Sequence, residues 1–467
     1  MKPAIAAPRQ ARRAPPRGLA WLLLTALLSA CGGGGGDSSG PGPVAAMCDA
    51  GPRKAALSNY FNDSYFWYRS SPRPDPASAL SLDDHFLALL YTGNGTGSDA
   101  AFPADRWSFF DTTVNFNRFF GDGKTLGYGL FVSGVEVTDR PDLPLYVRYT
   151  EPQSPAAAAG LVRGDRILSI NGKAVADVIR DNDYSALTPS AEGVSLSLLI
   201  APVTGAANRS VLLSGAIYSL TPVTHQAVVT SPGGRRAGYL VVKDMVSQAL
   251  LPMTVAMLNF RAAGVTELVL DLRYNGGGLV TVGRDIASLI AGPRGNARTY
   301  ASLLYNDKQA AARNTVYTFN NPAQALGLQR VYILVGERTC SASEQVAVGL
   351  RPVVDVVMVG RTTCGKPVGF LPHNDGCGNS YNVVNFESVN AVNDGRYVDG
   401  LRPTCAASED WTRPLGSTSE PFLAIALQHA DGLACVPPAA ATQARAQGLA
   451  AQRRLVFDGE RPTMIAP

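Results

Sequence analysis

The spacing of apolar residues divides the chain into regions with different predicted structures. Over residues 47–120, apolar and aromatic positions recur at helical intervals, as in the run 83–90, and they predict a small N-terminal helical domain. Its aromatics are most simply core residues and suggest no cofactor site. Over residues 121–210, short apolar runs are separated by glycine and proline, which predicts strands joined by tight turns.

From residue 211 to 436, apolar strands alternate with apolar-periodic helices. This alternation predicts an α/β core with a largely parallel sheet. Functional sites of such sheets lie beyond the carboxyl ends of the strands, so the loops after Asp271, Val335 and Val359 are the candidate positions. The last region, 437–467, is rich in Ala and Gln near its start and is interpreted as a C-terminal tail with a surface helix and a loose end.

The first 31 residues are typical of an export signal. Basic residues precede an apolar stretch over 19–28, which is shorter than the ~20 residues of a membrane-spanning helix. The next run, Leu-Ser-Ala-Cys at 28–31, resembles the lipobox of bacterial lipoproteins and implies a lipid attached to Cys31. The glycine-rich segment 32–46 predicts a flexible tether.

These features predict an exported protein that is lipid-anchored to the bacterial outer membrane and faces the periplasm or the cell surface. Gly32 favours outer-membrane sorting, because an aspartate after the cysteine would favour retention in the inner membrane. The alternative is an ordinary signal peptide with a chance cysteine. The net charge of +4 gives no case for a nucleic-acid-binding protein, which needs a dense basic face.

A dense motif stands in the strand-rich region. Residues 154–172 read SPAAAAGLVRGDRILSING, a pattern that predicts a short helix, a strand and an Asn-Gly turn. The run resembles a PDZ domain, which implies such a domain over residues 121–210. PDZ domains add the C-terminus of a peptide to a sheet edge and bind its carboxylate with backbone N–H groups. The matching loop here comprises Gly127, Tyr128, Gly129 and Leu130. The alternative is a PDZ fold that has lost its groove and only packs on its neighbour.

Each of the three strand-end loops carries a chemical candidate and an ordinary alternative. The first has three consecutive glycines at 276–278, whose N–H groups suit a phosphate or an oxyanion, although no Lys-Ser/Thr follows as in a P-loop. The second places Ser341 where a strand turns into a helix, a position at which Ser341 or Ser343 is alternatively a helix cap. The third contains Lys366, which would ordinarily be a solvated surface residue.

Together the three loops resemble the C-terminal processing peptidases, or tail-specific proteases, a family of Ser/Lys serine peptidases. The matching motifs are DLRYNGGG at 271–278, SASE at 341–344 and GRTTCGK at 360–366. The order of PDZ domain and core also matches. The resemblance implies a peptidase core over 211–436 with a ββα-type, crotonase-like parallel sheet, Ser341 as the nucleophile and Lys366 as the base.

The implied oxyanion hole combines the N–H of Ala342 with that of Gly277 or Gly278. A serine hydroxyl needs a base within hydrogen-bond reach, and a lysine serves only if burial lowers its pKa from ~10.4. Apolar residues near Lys366 in the sequence are consistent with this. Phe370 departs from the family pattern, since many members carry Gln or Glu at that position to orient the lysine.

Six cysteines remain when Cys31 is set aside, an even number that favours disulfides in an exported protein. If the base reaches the nucleophile, the flanking Cys340 and Cys364 are also close, which implies a disulfide between them. The remaining guesses are Cys377–Cys405 and Cys48–Cys435. A metal site is the alternative, but no CxxC or HxxxH spacing supports it, so neither a metal nor a cofactor is predicted.

The predicted function is that of a serine endopeptidase of the cell envelope, which cleaves protein or peptide substrates through an acyl-enzyme and recognises their C-termini with its PDZ domain. Two alternatives stay open. The first is a histidine-based serine hydrolase. The sequence lacks the Gly-x-Ser-x-Gly motif of such enzymes, yet His373 lies close to the third loop in the sequence. A PDZ-containing lipoprotein that only binds peptides would have an inert core, and Phe370 favours this alternative.

Overall fold

The computed structural model describes residues 47–438 and 463–466. The predicted export signal, the tether and Cys31 lie outside these residues. Within them, no helix combines the length and the apolar character needed to cross a membrane.

The N-terminal part is helical and packs directly on the α/β core. Its elements are α1 Ala50–Ser64, α2 Leu82–Leu89, β1 Phe109–Thr112 and α3 Thr113–Phe120. Helix α2 begins after Ser81, whose hydroxyl accepts the N–H of Asp84 at 3.0 Å and caps the helix. Trp67 belongs to one apolar cluster with Val383 and Val384. The helical part therefore shares its apolar core with the α/β region.

A small β-rich domain follows. Its elements are β2 Lys124–Gly127, β3 Leu130–Val132, β4 Leu145–Thr150, α4 Pro155–Ala158, β5 Arg166–Ile170, β6 Lys173–Ala174, α5 Val175–Asp181, β7 Ser195–Ala201, β8 Arg209–Ser214 and β9 Ala216–Ser219. The main sheet has the order β3-β4-β5-β7-β8, with β6 beside β5, and β2 pairs with β9. In β7, Leu196, Leu198 and Ile200 are buried, whereas Ser195 and Ser197 are exposed. This alternation is expected of a sheet with one covered face.

The α/β core contains the remaining elements. They are β10 Val223–Thr230, β11 Arg236–Val242, α6 Leu250–Ala262, β12 Glu267–Asp271, β13 Gly277–Leu279, α7 Val280–Ala291, β14 Thr299–Tyr305, α8 Ala310–Arg313, β15 Thr315–Thr318, β16 Arg330–Val335, α9 Ala342–Leu350, β17 Asp355–Gly360, β18 Val368–Phe370, β19 His373–Asn374, β20 Asn379–Asn382, β21 Val384–Val389, β22 Cys405–Ala406, α10 Pro421–Ala430 and β23 Thr463–Ile465. The main sheet has the order β10-β11-β12-β16-β17-β22. Every pair in it is parallel except β10 with β11, which confirms the predicted α/β core.

Helices cover both faces of this main sheet. Leu270 and Ile333 lie in an apolar cluster with α6, α7 and α9, whereas the neighbouring Val269 and Leu334 lie in a cluster with α10. Successive strand residues thus face opposite helical layers, which explains why the strands read as continuous apolar runs. Because β12, β16 and β17 are parallel neighbours, the three candidate loops meet at one edge of the sheet.

A second six-stranded sheet starts from this edge, with the order β13-β23-β18-β21-β14-β15. A smaller sheet has the order β1-β20-β19. Strand β23 lies between the strands that follow the first and third candidate loops. The expectation of a loose end is wrong for residues 463–466, because Met464, Ile465 and Ala466 are buried.

Three disulfides join parts of the chain that are distant in sequence. The predicted Cys340–Cys364 bond is present. The other two guesses are wrong, because the bonds are Cys48–Cys377 and Cys405–Cys435.

The start of the described chain packs on the turn that carries Cys377, where Arg53 and Asp375 form an ion pair at 2.6 Å. The segment after α10 returns to β22, where the N–H of Ala406 donates to the carbonyl of Val436 at 2.8 Å. Packing of these elements decided the pairing, and cysteine spacing does not reveal it.

Candidate active site

Ser341 occupies the turn between β16 and α9. Its backbone has φ +63° and ψ −120°, a strained conformation for a residue with a side chain. The residue is fully buried, and its hydroxyl oxygen has no hydrogen-bond partner among the described residues. Because a buried hydroxyl without a partner costs about 1–3 kcal/mol, the fold keeps this group in place at a cost in stability. Strain and unsatisfied polar groups of this kind cluster at functional sites.

Lys366 is buried beside an aromatic ring. Its ammonium nitrogen lies 5.0 Å from the centre of the Phe370 ring, so the residue that departs from the family pattern forms part of its environment. Burial lowers the pKa of Lys366 to about 7, although the carboxylates of Asp105 and Glu344 oppose the shift. A lysine with this pKa is partly neutral near pH 7 and can accept a proton.

The Glu344 carboxylate ties the two candidate residues together. Its Oε2 accepts the backbone N–H of Ser341 at 2.8 Å and that of Lys366 at 2.9 Å, so the two backbones are neighbours. Its Oε1 accepts the N–H of Gly365 at 2.9 Å and the hydroxyl of Thr363. Burial raises the pKa of Glu344, and these hydrogen bonds oppose the rise. Sequence reasoning gave Glu344 no role, although a glutamate three residues after a serine at a helix start is the capping-box spacing.

Asn275 connects the glycine loop to the start of α9. Its side-chain oxygen accepts the N–H of Gly277 at 2.8 Å and the hydroxyl of Ser343 at 2.7 Å. Ser343 therefore has a structural hydrogen bond. The N–H of Gly277 is donated within the loop, whereas Gly278 pairs with strand β23, so only displacement of that strand would free Gly278 as an oxyanion donor. The predicted second donor, Ala342, begins α9, where an N–H has no acceptor within the helix.

Gly278 has a conformation and a position that require glycine. Its φ is +138°, a region that side-chain-bearing residues avoid. A Cβ atom there would lie 2.2 Å from the carbonyl oxygen of Met245. The glycine run thus lets the loop approach the neighbouring backbone closely.

Two family models match the chain. The model described as Peptidase family S41 matches residues 236–389, and the model described as PDZ domain matches residues 146–202. The first match contains the glycine loop, Ser341 and Lys366.

The part of the chain that holds the candidate site is therefore similar to peptidase family S41.

Individual proteins show the same similarity. The chain is 29% identical over 258 residues to the chloroplastic carboxyl-terminal-processing peptidase 3 of Arabidopsis thaliana, covering 53% of this chain and 47% of that protein. It is 28% identical over 238 residues to a carboxyl-terminal-processing protease of Synechocystis sp., covering 50% of this chain and 53% of that protein. The chain thus spans about half the length of the curated relatives it matches. A crystal structure of a putative S41 protease from Bacteroides fragilis superposes with a TM-score of 0.62 at 25% identity, covering 81% of this chain and 97% of that one.

Arg273, in the glycine-loop motif, lies at the centre of a buried ion network. Its guanidinium donates to both oxygens of Glu420 at 2.7 and 2.9 Å and to both oxygens of Asp271 at 3.0 Å. Tyr239 donates its hydroxyl to Asp271 at 2.7 Å. The network fixes the strand end from which the glycine loop departs.

The predicted peptide-binding loop, residues 127–130, lines the same cavity as the glycine loop. Strand β3, which begins within it, lies at the edge of its sheet in the part of the chain that the structure describes. Gly129 has φ +69°, and a Cβ there would lie 2.0 Å from the side chain of Ser154. The cavity has a volume of about 480 Å³ and is lined by residues 127–130 together with Gly276 and Gly277. The edge strand β3 and the glycine loop therefore border one cavity.

His373, the alternative base, contacts a different set of residues. Its ring stacks on that of Tyr60 with centroids 4.0 Å apart, and its backbone pairs with Tyr381. Burial lowers the pKa of His373. Among the described residues, no hydrogen bond joins His373 to Ser341.

The Cys340–Cys364 disulfide links the loop of Ser341 to the loop of Lys366, and we expect its removal to cost both stability and activity. It closes a loop with a sequence separation of 24, so replacing both cysteines by alanine is expected to cost about 3 kcal/mol of unfolding free energy. The rate of peptide cleavage is expected to fall as well, because the two loops lose their covalent link. Urea unfolding and a cleavage assay measure the two effects.

The chain offers a matched control in the Cys405–Cys435 disulfide. Its sequence separation of 30 predicts a similar loss of stability on replacement by alanine. This disulfide joins β22 to the segment after α10 and does not link the loop of Ser341 to that of Lys366. The rate of cleavage is therefore expected to stay unchanged. Equal activity losses in the two double variants would contradict a special role of Cys340–Cys364 at the site.

Proposed function

We propose that this chain is a serine endopeptidase in which Ser341 is the nucleophile and Lys366 is the general base. The observation that carries the proposal is that Ser341, with a buried hydroxyl that has no partner, and the buried Lys366 both donate their backbone N–H groups to one oxygen of Glu344. A lysine can act as a base only in its neutral form. Burial meets this requirement, because it lowers the pKa of Lys366 to about 7.

The proposed reaction uses the residues as follows. Ser341 Oγ attacks the carbonyl carbon of the scissile peptide bond and gives its proton to Lys366 Nζ. The negative oxygen of the tetrahedral intermediate is bound by the N–H groups of Gly278 and Ala342. The C–N bond then breaks, and the leaving amine takes the proton from Lys366. A water molecule attacks the acyl-enzyme carbonyl and gives a proton to Lys366. The ester bond to Ser341 Oγ then breaks, Lys366 returns the proton to Oγ, and the product leaves with a new carboxyl terminus.

The pH dependence of cleavage tests this proposal. The base must be neutral, so kcat/KM for an unfolded protein substrate is expected to rise with pH through a midpoint near 7, the pKa to which burial brings Lys366. A histidine base would give a midpoint below the ordinary value of about 6.5, because burial lowers the pKa of His373. Product masses from several substrates confirm that peptide bonds are cut. A chain that cuts none of them at any pH would instead support the peptide-binding lipoprotein, the alternative that Phe370 favours.

We also propose that the PDZ domain delivers substrates by their C-termini. The cavity that joins residues 127–130 to the glycine loop supports this role. Two peptides of the same sequence, one with a free carboxylate and one with a C-terminal amide, test it. The amide is expected to raise KM about tenfold or more, as loss of a charge-assisted hydrogen bond predicts, with little change in kcat. Equal KM values would contradict recognition of the carboxylate.

The proposed location is the cell envelope, with a lipid anchor on Cys31 in the outer membrane. The order of basic residues, apolar stretch and lipobox supports export. Three disulfides also support an oxidising compartment. Membrane extraction of the wild-type chain and of Cys31→Ala tests the anchor, which predicts release of the variant into the soluble fraction.

A further inference from the structure

Residues 463–466 occupy a slot inside the candidate active site. Strand β23, Thr463–Ile465, pairs in parallel with β13, so that Gly278 lies opposite Met464. On its other side Ile465 pairs with Phe370 of β18, and the N–H of Ala466 donates to the carbonyl of Phe370 at 3.3 Å. No other described strand joins β13 to β18 in the sheet order. The segment therefore fills a gap one strand wide.

This gap lies next to the reacting groups of the proposed mechanism. Strand β13 contains the oxyanion donor Gly278, and β18 begins two residues after Lys366. The side chain of Gln345, one helical turn after Ser341, lies 3.9 Å from the sulfur of Met464, measured from Nε2. A peptide strand in the gap is thus in reach of both loops that flank it.

Both ends of the gap open into cavities. The cavity of about 480 Å³ that contains the PDZ loop is lined by Gly276 and Gly277, at the start of β13. A second cavity of about 330 Å³ is lined by Ala466, together with Arg313 and His373. The strand thus lies between two cavities, and a longer peptide in its place would extend into both.

We propose that the gap between β13 and β18 is the substrate slot, and that residues 463–466 of the chain itself occupy it until a substrate displaces them. The slot takes an extended peptide, because an added strand satisfies the backbone groups of both edges. It selects apolar side chains at the positions of Met464 and Ile465, which are 0% and 4% exposed. The inference rests on the proposed function, since it names the substrate class of that site.

Competition with a free peptide tests the slot without requiring cleavage. The probe is a fluorescein-labelled peptide with the sequence of residues 461–467, RPTMIAP. It is titrated, with polarisation as the readout, against the full chain carrying Ser341→Ala and against the same variant ending at Pro462. A tethered segment competes at an effective concentration of roughly millimolar, so the shortened chain is expected to bind the probe at least about tenfold more tightly. A control peptide with lysine in place of Met464 and Ile465 is expected not to bind.

Equal affinities of the two proteins, or no binding to a shortened chain that is folded by circular dichroism, would overturn the proposal. If the shortened chain does not fold, the full chain carrying Met464→Lys takes its place, because a buried lysine expels the segment from the slot. Loss of folding in that variant too would show that β23 is a fixed part of the core, which also overturns the proposal.

Cleavage assays with Ser341 intact separate this inference from the proposed function. The shortened chain is expected to cut an unfolded protein several-fold faster than the full chain, and the probe peptide is expected to inhibit it. Probe binding without cleavage by either protein would contradict the peptidase and leave the slot supported. Cleavage at equal rates with no probe binding would support the peptidase and contradict the slot.

Discussion

Replacing Ser341 by alanine is expected to abolish cleavage, and replacing Lys366 by methionine is expected to lower kcat/KM by about 10²–10⁴-fold. Methionine has a similar length to lysine and packs well beside an aromatic ring such as that of Phe370, so the fold should persist. The nucleophile then lacks a base, whereas substrate binding is retained. The measurement is kcat/KM on one peptide, with circular dichroism spectra of each variant.

The double variant Ser341→Ala, Lys366→Met shows whether the two residues act as a unit. Groups that act together are strongly non-additive, so the double variant is expected to be no less active than Ser341→Ala alone. Lys308→Met is the control for loss of a lysine, because Lys308 is exposed and its ammonium lies over the ring of Tyr68. Loss of a general base lowers the rate by about a hundredfold or more. If Lys366→Met keeps more than about a tenth of the activity, another base acts, and His373 is the first candidate.

Replacing Arg273 by methionine is expected to cost about 3–5 kcal/mol of unfolding free energy, because it leaves buried carboxylates without their charged partner. Asp271 and Glu420 are 1% and 0% exposed, and Arg273 bridges them. Although burial alone would raise the pKa of Glu420, the Arg273 guanidinium lowers it. The midpoint of urea unfolding at pH 7 measures the loss.

A matched exposed pair controls for the charge itself. Arg330 and Asp355 lie 2.6 Å apart with side chains 41% and 56% exposed, so Arg330→Met is expected to cost only about 0–1 kcal/mol. The pH dependence gives a second check. A carboxyl whose folded-state pKa is lowered adds stability above its unfolded pKa of about 4.3 and loses that stability as the pH falls through the folded value. The deficit of Arg273→Met should therefore be largest at neutral pH and shrink in acid, and a deficit that is the same at pH 3 and pH 7 would contradict the ion-network explanation.

The site residues that sequence analysis identified belong to short local motifs. The run at 271–278 and the SASE run at 341–344 predicted a glycine loop and a strand-to-helix serine turn, and the structure has both. Such turns depend on residues that are close together in the chain. Gly278, for example, has a φ of +138°, which favours glycine. The same holds for the apolar runs, which predicted the parallel sheet.

The sequence alone was less informative wherever two distant segments had to be paired. Two of the three disulfides were assigned wrongly, although every cysteine was recognised as a candidate. The partners of Gly277 and Gly278, the Asn275 side chain and strand β23, became visible only in the structure. The effect of Asp105 on the pKa of Lys366 depends on how the helical part packs on the core.

The sequence by itself determined the fold class, the family resemblance and the identities of the candidate nucleophile and base, because those features are encoded in residues close together along the chain. Only the tertiary structure decided which groups surround them: the Glu344 carboxylate between Ser341 and Lys366, the buried Arg273 network, and residues 463–466 in the gap beside Gly278. The physical reason is that burial, hydrogen bonding and strand pairing between distant segments depend on how the whole chain packs, and local pattern does not specify it.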